Sequence, residues 1–380
     1  MSQATKPGTE AADARAGTLH VRAWSEEEFA TSREAWERLL RASGADPLFM
    51  SWDWQWRWWT HHARALGATL RLVAVYTASD ELVGLAPFYS RRVSVRRILR
   101  SCRIELIGIA WRDPSAVFSD YLDLIVAPPH CDAVLALIAS WLAAQTFWQE
   151  LVFACIRQDS LASMFVRTHL AGIAYVREVD GLNAWSARLP KQFEDYIAGL
   201  TSDARRKLFT HRHRLSHPRL EYADETNIPE FLDLLWCYTT LRWGLAAGGA
   251  HQRAFHAEFA ACMAREGRLR LSRLTTREGP VSVMYNVHTG DTVHYLQSGF
   301  DRVKARGLSL GYLHFGYAIE KACDEGAERF DFLAGRGRHR DYKRDLLTDH
   351  IPVVTYHVVR GATLRFLHAA HDIAARIGGS

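Results

Sequence analysis

The five residues Gly307-Leu308-Ser309-Leu310-Gly311 are compatible with two chemistries. As a helix start, Ser309 is an N-cap and the helix begins near Leu310. Its first-turn N–H groups then lack intrahelical partners, and the helix dipole adds partial positive charge there. Gly307 and Gly311 let a ligand approach the backbone, and Lys304 and Arg306 stand just before the loop, a setting that suits a pyrophosphate. As G-x-S-x-G, the same residues match a serine nucleophile elbow, with Asp331 and one of His339, His350 or His357 following in chain order. An elbow needs a buried strand running straight into the turn, whereas the mostly polar segment 301–306 intervenes here. An ordinary crossover with a glycine-softened helix start is the purely architectural alternative.

Either chemistry needs a frame. Val293-His294-Tyr295-Leu296-Gln297-Ser298-Gly299-Phe300 reads as a strand, and a helix runs from Leu310 to a stop at Gly326. Arg329-Phe330-Asp331-Phe332-Leu333 is a second strand, followed by a basic loop over 335–344. In that strand Asp331 shares a face with Arg329 and Leu333, opposite Phe330 and Phe332.

Upstream, residues 25–43 read as one helix capped by Ser25, with Glu26, Glu27 and Glu28 in its first turn. A tryptophan cluster follows. On a helix Phe49, Trp52, Trp56 and Trp59 share a core-like face, and Trp54 and Trp58 fall on the adjoining face, either as core or as the wall of a substrate cleft. A hairpin over 70–89 is matched by one over 269–288, and both open with Leu-Arg-Leu. Two similar α/β halves are therefore expected, with the break near 180–187. Between the hairpins, residues 202–215 form an amphipathic basic helix. Ala204, Leu208, His211 and Leu215 share one face, and the other faces, Arg206 included, are either solvated or touch a phosphate or polyanion. His213 and His217 stand i, i+4, but no Glu lies between them and Pro218 ends the helix, so no metal is expected.

With 380 residues the chain is long enough for two domains and a large core. Its net charge of +5 permits an anionic ligand but lacks the strong basic bias of a nucleic-acid binder. The six cysteines are widely spaced, which argues against a zinc ribbon or disulfide framework and for a reducing, cytoplasmic setting. Residues 1–18 lack an apolar signal core and read as a disordered tail. The longest uncharged run, 133–149, is short for a membrane span.

The order of these pieces resembles the GNAT acyltransferase fold. More narrowly it resembles the bacterial acetyltransferase group associated with cellulose and exopolysaccharide synthesis (the CelD/BcsL-like group), related to the Fem peptidyltransferases with their two GNAT-like halves. The resemblance rests on Phe49-Met50-Ser51-Trp52-Asp53-Trp54, Gly84-Leu85-Ala86-Pro87-Phe88, Asp120-Tyr121-Leu122-Asp123, residues 202–215, Gly299-Phe300-Asp301, Gly307–Gly311, Phe330-Asp331-Phe332-Leu333 and Tyr342-Lys343. It implies an α/β protein of two GNAT-like halves with mixed central sheets, residues 19–185 and 186–380, the second holding the acyl-CoA site.

The resemblance also implies a reaction: acyl transfer from a thioester, usually acetyl-CoA, to an amine or hydroxyl of a small molecule or saccharide. The loop departs from the full glycine-rich pyrophosphate signature, with leucines between its glycines. That keeps an aminoacyl-tRNA donor, as in Fem relatives, and longer acyl donors open. Lys304, Arg306, Gly307, Leu308, Ser309, Leu310 and Gly311 are the expected donor-binding residues. Asp331 is the expected base, with Lys343 and Tyr342 beside it to steady an oxyanion or donor phosphates. Trp54, Trp58, Asp120, Tyr121, Asp123 and Arg206 are the expected acceptor-side residues. No metal is expected. A partnership with polysaccharide-synthesis machinery and a catalytically silent scaffold also fit the pattern.

Overall fold

The structure, a computed structural model, describes residues 18–95, 99–243, 248–301, 303–304, 307–334, 341–346, 348–366 and 368. The expected tail, apart from residue 18, lies outside the described residues, and so do Arg306 and His339. The strands are β1 (His20–Ala23), β2 (Thr69–Leu70), β3 (Val73–Tyr76), β4 (Leu82–Ala86), β5 (Phe88–Val95), β6 (Leu99–Leu106), β7 (Ile125–Val126), β8 (Glu150–Arg157), β9 (Tyr175–Arg188), β10 (Arg219–Tyr222), β11 (Leu269–Thr276), β12 (Gly279–Thr289), β13 (Thr292–Phe300), β14 (Arg329–Asp331) and β15 (Thr348–Val359). β1, β3, β4 and β7 form a four-stranded sheet, and the remaining eleven form one sheet in the order β10-β11-β12-β13-β14-β9-β15-β8-β6-β5-β2.

The chain is mixed α/β and consists of two related halves. Each half contains one parallel strand pair, β6 with β8 and β13 with β14, while the other pairs are antiparallel. A helix joins each parallel pair, Cys131–Ala144 in the first half and Leu310–Asp324 in the second. Residues 180–187, expected as the break, belong to β9. It pairs with β15 from Tyr175 to Ala187 and with β14 through Ser186–Arg188. β15 in turn pairs with β8. The last of the described strands therefore sits between β9 and β8, and the halves share one hydrogen-bonded sheet. The polar, turn-like letters of 180–183 arise because the middle of β9 is largely exposed.

Two helical readings also change. The Ser25–Glu28 capping box forms, but the helix expected over 25–43 splits at Ser32 into Glu26–Thr31 and Arg33–Ala42. In the helix Trp52–Leu66, Trp54, Trp58 and Trp59 are buried while Trp52 and Trp56 are only half-buried, stacked on each other at 5.8 Å. The buried face is thus shifted from the one the spacing suggests, because helix Ala250–Arg265 packs on this side and Phe255 and Phe259 meet Trp54 edge-on.

The helix Leu310–Asp324 is fixed by features the sequence did not advertise. His314 is buried between Ser272 Oγ (2.9 Å) and Ser282 Oγ (2.7 Å), and burial pushes its pKa down to about 3, so it stays neutral. On its other side lies helix Ser202–Leu208, and a Cβ on Gly316 would collide with the Leu208 carbonyl oxygen. Gly316→Ala is expected to cost about 1–3 kcal/mol in urea denaturation. Gly311→Ala, whose Cβ would lie 3.6 Å from the Phe300 ring, should cost no more than about 0.5 kcal/mol.

Candidate active site

β13 and β14 run parallel for three pairs, ending at His294↔Asp331, and then part. Into the fork opens a cleft of about 480 Å³ lined by Tyr295, Leu296 and Gln297 on one side and Phe332, Leu333 and Ala334 on the other. The first half closes it with Phe49, Trp54 and Asp120. Lys343, held on the short helix Asp341–Asp345, is 3% exposed and reaches the fork. Its ammonium donates to the Phe332 carbonyl and, at 3.1 Å, to the Leu333 carbonyl. Burial lowers the Lys343 pKa to about 8, with Asp120 and then Asp331 opposing the shift. Asp120 shares the cleft with Lys343 and is itself buried.

Asp331 faces the other way, as the alternation of its strand requires. Its carboxylate accepts from the Tyr121 hydroxyl (3.1 and 3.2 Å) and from Leu333 N–H (2.7 Å). Burial pushes the Asp331 carboxyl above its usual range. Leu333 and Tyr121 both adopt left-handed backbone, φ 58° and 56°, a strained conformation for such side chains. Asp331 looks onto a second cavity of about 610 Å³, lined also by Tyr121, Asp123, His294, Asp46 and Arg157. His294 is neutral, its pKa lowered to about 4 by burial, with Nε2 2.8 Å from Thr289 Oγ1. The structure therefore brings Lys343, Asp120 and Trp54 to one cavity and Asp331, Tyr121 and Asp123 to another.

The expected donor loop is packed into protein. Leu308 and Leu310 join an apolar cluster with Leu215, Leu274 and Leu313, and Lys304 Nζ donates to the Glu278 carbonyl at 3.0 Å. Ser309 precedes the helix but makes no side-chain cap bond. Gly307 has φ 79°, and its carbonyl accepts from Arg214 at 3.3 Å. Lys207 stands 5.6 Å from the ring of Tyr312 in the first helical turn. β13 ends at Phe300, well before Ser309, so the strand-into-turn geometry of a nucleophile elbow is not built.

Other expected residues land elsewhere. Trp58 is fully buried, with its indole N–H on the Val117 carbonyl at 2.8 Å, and lines neither cavity. Arg206 is exposed and paired with Asp203. The Tyr342 side chain lies outside the described residues. Gln252 and His256 line the fork cleft from helix Ala250–Arg265 and were not anticipated. Gln252 donates to the carbonyls of Pro114 (3.0 Å) and Ala116 (2.9 Å), and burial takes the His256 pKa down to about 3. Only their shared helical face hinted at this, because their partners are far away in sequence.

Among the described residues two clusters bring His, Cys or carboxylate donor atoms within 4.8 Å of one another, Glu150/His357/His368 and Asp53/Cys262/Glu266. Arginines already occupy both. Arg103 pairs with Glu150 at 3.0 Å, and Arg33 and Arg57 pair with Asp53 at 2.6 and 2.5 Å, supplying the positive charge that a cation would bring.

A forked parallel pair bridged by a helix, present twice in one sheet, defines a tandem GNAT-type fold. Residues 201–344 match the family model described as an acetyltransferase (GNAT) domain. The crystal structure of FemX is similar over 92% of this chain and 99% of its own, with a TM-score of 0.60 and 12% identity. A tandem GNAT protein from the clavulanic acid biosynthesis pathway is similar over 91% of this chain and 99% of its own (TM-score 0.50, 13% identity). For the L-PGS of Bacillus licheniformis the corresponding values are 91%, 96%, 0.50 and 13%. At these identities the likeness is one of fold. A search of curated proteins finds no match. Among the described residues no helix is long and apolar enough to cross a membrane.

Asp123 Oδ1 accepts from Leu124 N–H (2.8 Å) and Ala162 N–H (2.6 Å), and burial raises its pKa from 3.8 to about 7. The folded state therefore binds this proton more tightly than the unfolded chain. Its stabilising contribution is complete below about pH 4 and is lost as pH rises through about 7. Asp123→Asn is expected to remove a downward slope of at most about 1.4 kcal/mol per pH unit across that window, measured by urea denaturation at several pH values.

Proposed function

We propose that the protein is an acyltransferase that moves an acyl group from a CoA thioester to an amine or hydroxyl in the fork cleft. The observation that carries this reading is the ammonium of Lys343 at the point where β13 and β14 part. Beyond His294, β13 has no described ladder partner on that edge, so its backbone is open to an extended ligand arm. The thioester supplies an activated carbonyl carbon and a thiolate leaving group.

The protein's own groups suit the two demands of that step. With a pKa of about 8, Lys343 is mostly an ammonium at neutral pH and can donate to an oxygen on which negative charge gathers. Asp120, in the same cleft, is placed to accept the acceptor's proton. Asp331 stands behind the fork and in this reading positions Leu333 and Tyr121, in place of the base role that its sequence context suggests.

The donor phosphates fit the start of helix Leu310–Asp324. Its first-turn N–H groups receive no bond from the Ser309 side chain, and Arg214 and Lys207 add positive charge nearby. Among the described residues only the Phe300 ring would touch a Cβ on Gly311, at 3.6 Å, so the backbone there can be approached closely. The acceptor is read as an amine or sugar hydroxyl, in keeping with the polysaccharide-associated group that the sequence resembles. A second reading, an aminoacyl-tRNA donor, is favoured by the exposed basic surface of Arg205, Arg206 and Arg214.

Lys343→Ala and Asp120→Asn are each expected to lower kcat by about 10²–10³-fold, measured on the acceptor found by mass spectrometry of acylated products. Wild-type activity should fall as pH rises through about 8, where the Lys343 ammonium loses its proton. Turnover by Lys343→Ala within a few-fold of wild type would move the chemistry away from the fork. In calorimetry, Gly311→Glu should abolish acetyl-CoA binding, because it places a carboxylate where the phosphates belong. Equal affinity in wild type and variant would rule out this donor site. Binding of aminoacyl-tRNA but not acetyl-CoA by the wild type would select the second reading.

A further inference from the structure

The lining of the fork cleft is divided between the two faces of the sheet by a bulge. β12 and β13 pair Asn286 with Tyr295 and Tyr285 with Gln297, so Leu296 is an extra residue on β13. The extra residue reverses the alternation, and Tyr295 and Gln297 point to opposite faces. Tyr295 packs on Phe315 of helix Leu310–Asp324 at 4.8 Å, and the Lys343 ammonium lies 5.6 Å from its ring. Gln297 shares the face of Tyr285, whose ring meets His256 of helix Ala250–Arg265 at 5.8 Å. Tyr295, Gln297 and His256 all line the cleft. With the donor phosphates at the start of helix Leu310–Asp324, the face of His256 is left for the acceptor.

That face carries polar groups with nothing to bond. His256 makes no hydrogen bond among the described residues: its Nδ1 is sealed, and Nε2 is the ring nitrogen open to the cleft. Its neighbours are rings, Trp236 at 5.6 Å and Phe255 at 5.1 Å besides Tyr285. Sealing an unpaired N–H costs more than sealing a lone pair, so the proton belongs on Nε2 and the imidazole offers the cleft a donor. The half-buried Gln297 amide also has no hydrogen-bond partner among the described residues, and it adds donors and an acceptor. Buried polar groups are normally bonded, so two unbonded side chains on one wall mark a place where a ligand supplies the bonds. Neither is charged at neutral pH, since burial lowers the His256 pKa to about 3. An ammonium group, which only donates, would meet a donor in Nε2–H, whereas a hydroxyl accepts from it. Phe118, half-buried in the same lining, offers an apolar surface for the C–H face of a ring.

We propose that His256 and Gln297 form the acceptor subsite of the fork cleft and select a neutral, hydroxyl-bearing ring, a sugar residue, whose oxygens accept from His256 Nε2–H and bond with the Gln297 amide. The proposal rests on the acyl-transfer reading for the role of the bound ring as acceptor, and on the cleft alone for its binding.

The test uses the full chain without donor, so that binding is read apart from transfer. Saturation-transfer NMR with the methyl glycosides of glucose, galactose, mannose and N-acetylglucosamine is expected to show saturable binding of at least one of them. His256→Phe, which keeps a ring among rings, and Gln297→Leu should each weaken it about fivefold or more, the worth of one neutral hydrogen bond. His256→Gln, which keeps an N–H donor, should retain most of the affinity, and thermal unfolding will show that each variant folds. In the wild type, ¹⁵N NMR of labelled histidine should place the His256 proton on Nε2 and show that signal shifting as the glycoside is added, which decides the matter without a variant. Glycoside binding that depends on His256, in a protein that transfers no acyl group, would fault the acyl-transfer reading and leave the subsite standing. Absence of binding by every glycoside, binding unchanged in both His256→Phe and Gln297→Leu, or tighter binding of cyclohexylamine than of any glycoside overturns the proposal.

Discussion

A carboxylate buried at a place where two strands separate has to be satisfied locally, and Asp331 meets that constraint by drawing on both halves of the chain. It accepts a hydroxyl from Tyr121 of the first half and a backbone N–H from Leu333 of the second, so one side chain ties the halves together at the fork. The bond to Leu333 closes a short turn that holds this residue at φ 58°. Leu333 and Phe332 are then placed so that their carbonyls accept from Lys343. Tyr121, also left-handed, is held in turn by its N–H on the Cys155 carbonyl at 3.1 Å. The strain in two backbones is thereby balanced by bonds to one acid, and the ammonium at the fork depends on all of them.

This arrangement explains which parts of the site could be read from the chain and which could not. The strand, helix and strand of residues 292–331 were legible because period-two and period-3.6 patterns with glycine stops are local signals. Lys343 was legible only through its place after Tyr342 in a basic run, since its burial depends on a fork made elsewhere. Asp331 looked like a base because an acid in an apolar strand is desolvated, and it is. Its direction, away from Lys343, also follows from the pleat, but the presence of two cavities, one on each side, needed the fold. The place of 180–187 inside β9 was hidden for a different reason. The middle of β9 is an exposed ribbon, so its letters resemble a linker, and long-range pairing with β15 leaves no trace in local pattern.

The ion pairs of Arg91 with Glu105 and of Arg103 with Glu150 were invisible for the same reason. Arg91 and Arg103 lie on strands whose alternation is ordinary, and nothing in the sequence says that Glu150, His357 and Arg177 will stand level with them. Register, which is set by pairing between distant segments, turns scattered charges into one row. The basic helix at 202–215 attracted notice because its charges are adjacent, yet Arg206 and Lys207 there are paired with Asp203. Density of charge along a sequence is therefore a poor guide to density in space.

The two halves solve the fork problem alike and then diverge. In the first half the last parallel pair is Glu105↔Val152, and Glu105 accepts from the Tyr89 hydroxyl at 2.5 Å and from Trp111 N–H at 3.1 Å. That is the same combination, a tyrosine hydroxyl and a backbone N–H, that Asp331 accepts in the second half. A strand leaving its neighbour exposes backbone that must find a partner, and a buried acid at the parting point supplies one. The difference lies in what neutralises the acid. Glu105 has Arg91 at 3.3 Å and Arg103 at 3.6 Å, which pair in turn with Asp113 and Glu150. Asp331 has no ion pair among the described residues, and burial holds its carboxyl above the usual range. The acid thus stands on the first strand of its parallel pair in one half, held by two arginines, and on the second strand in the other half, held by hydrogen bonds alone.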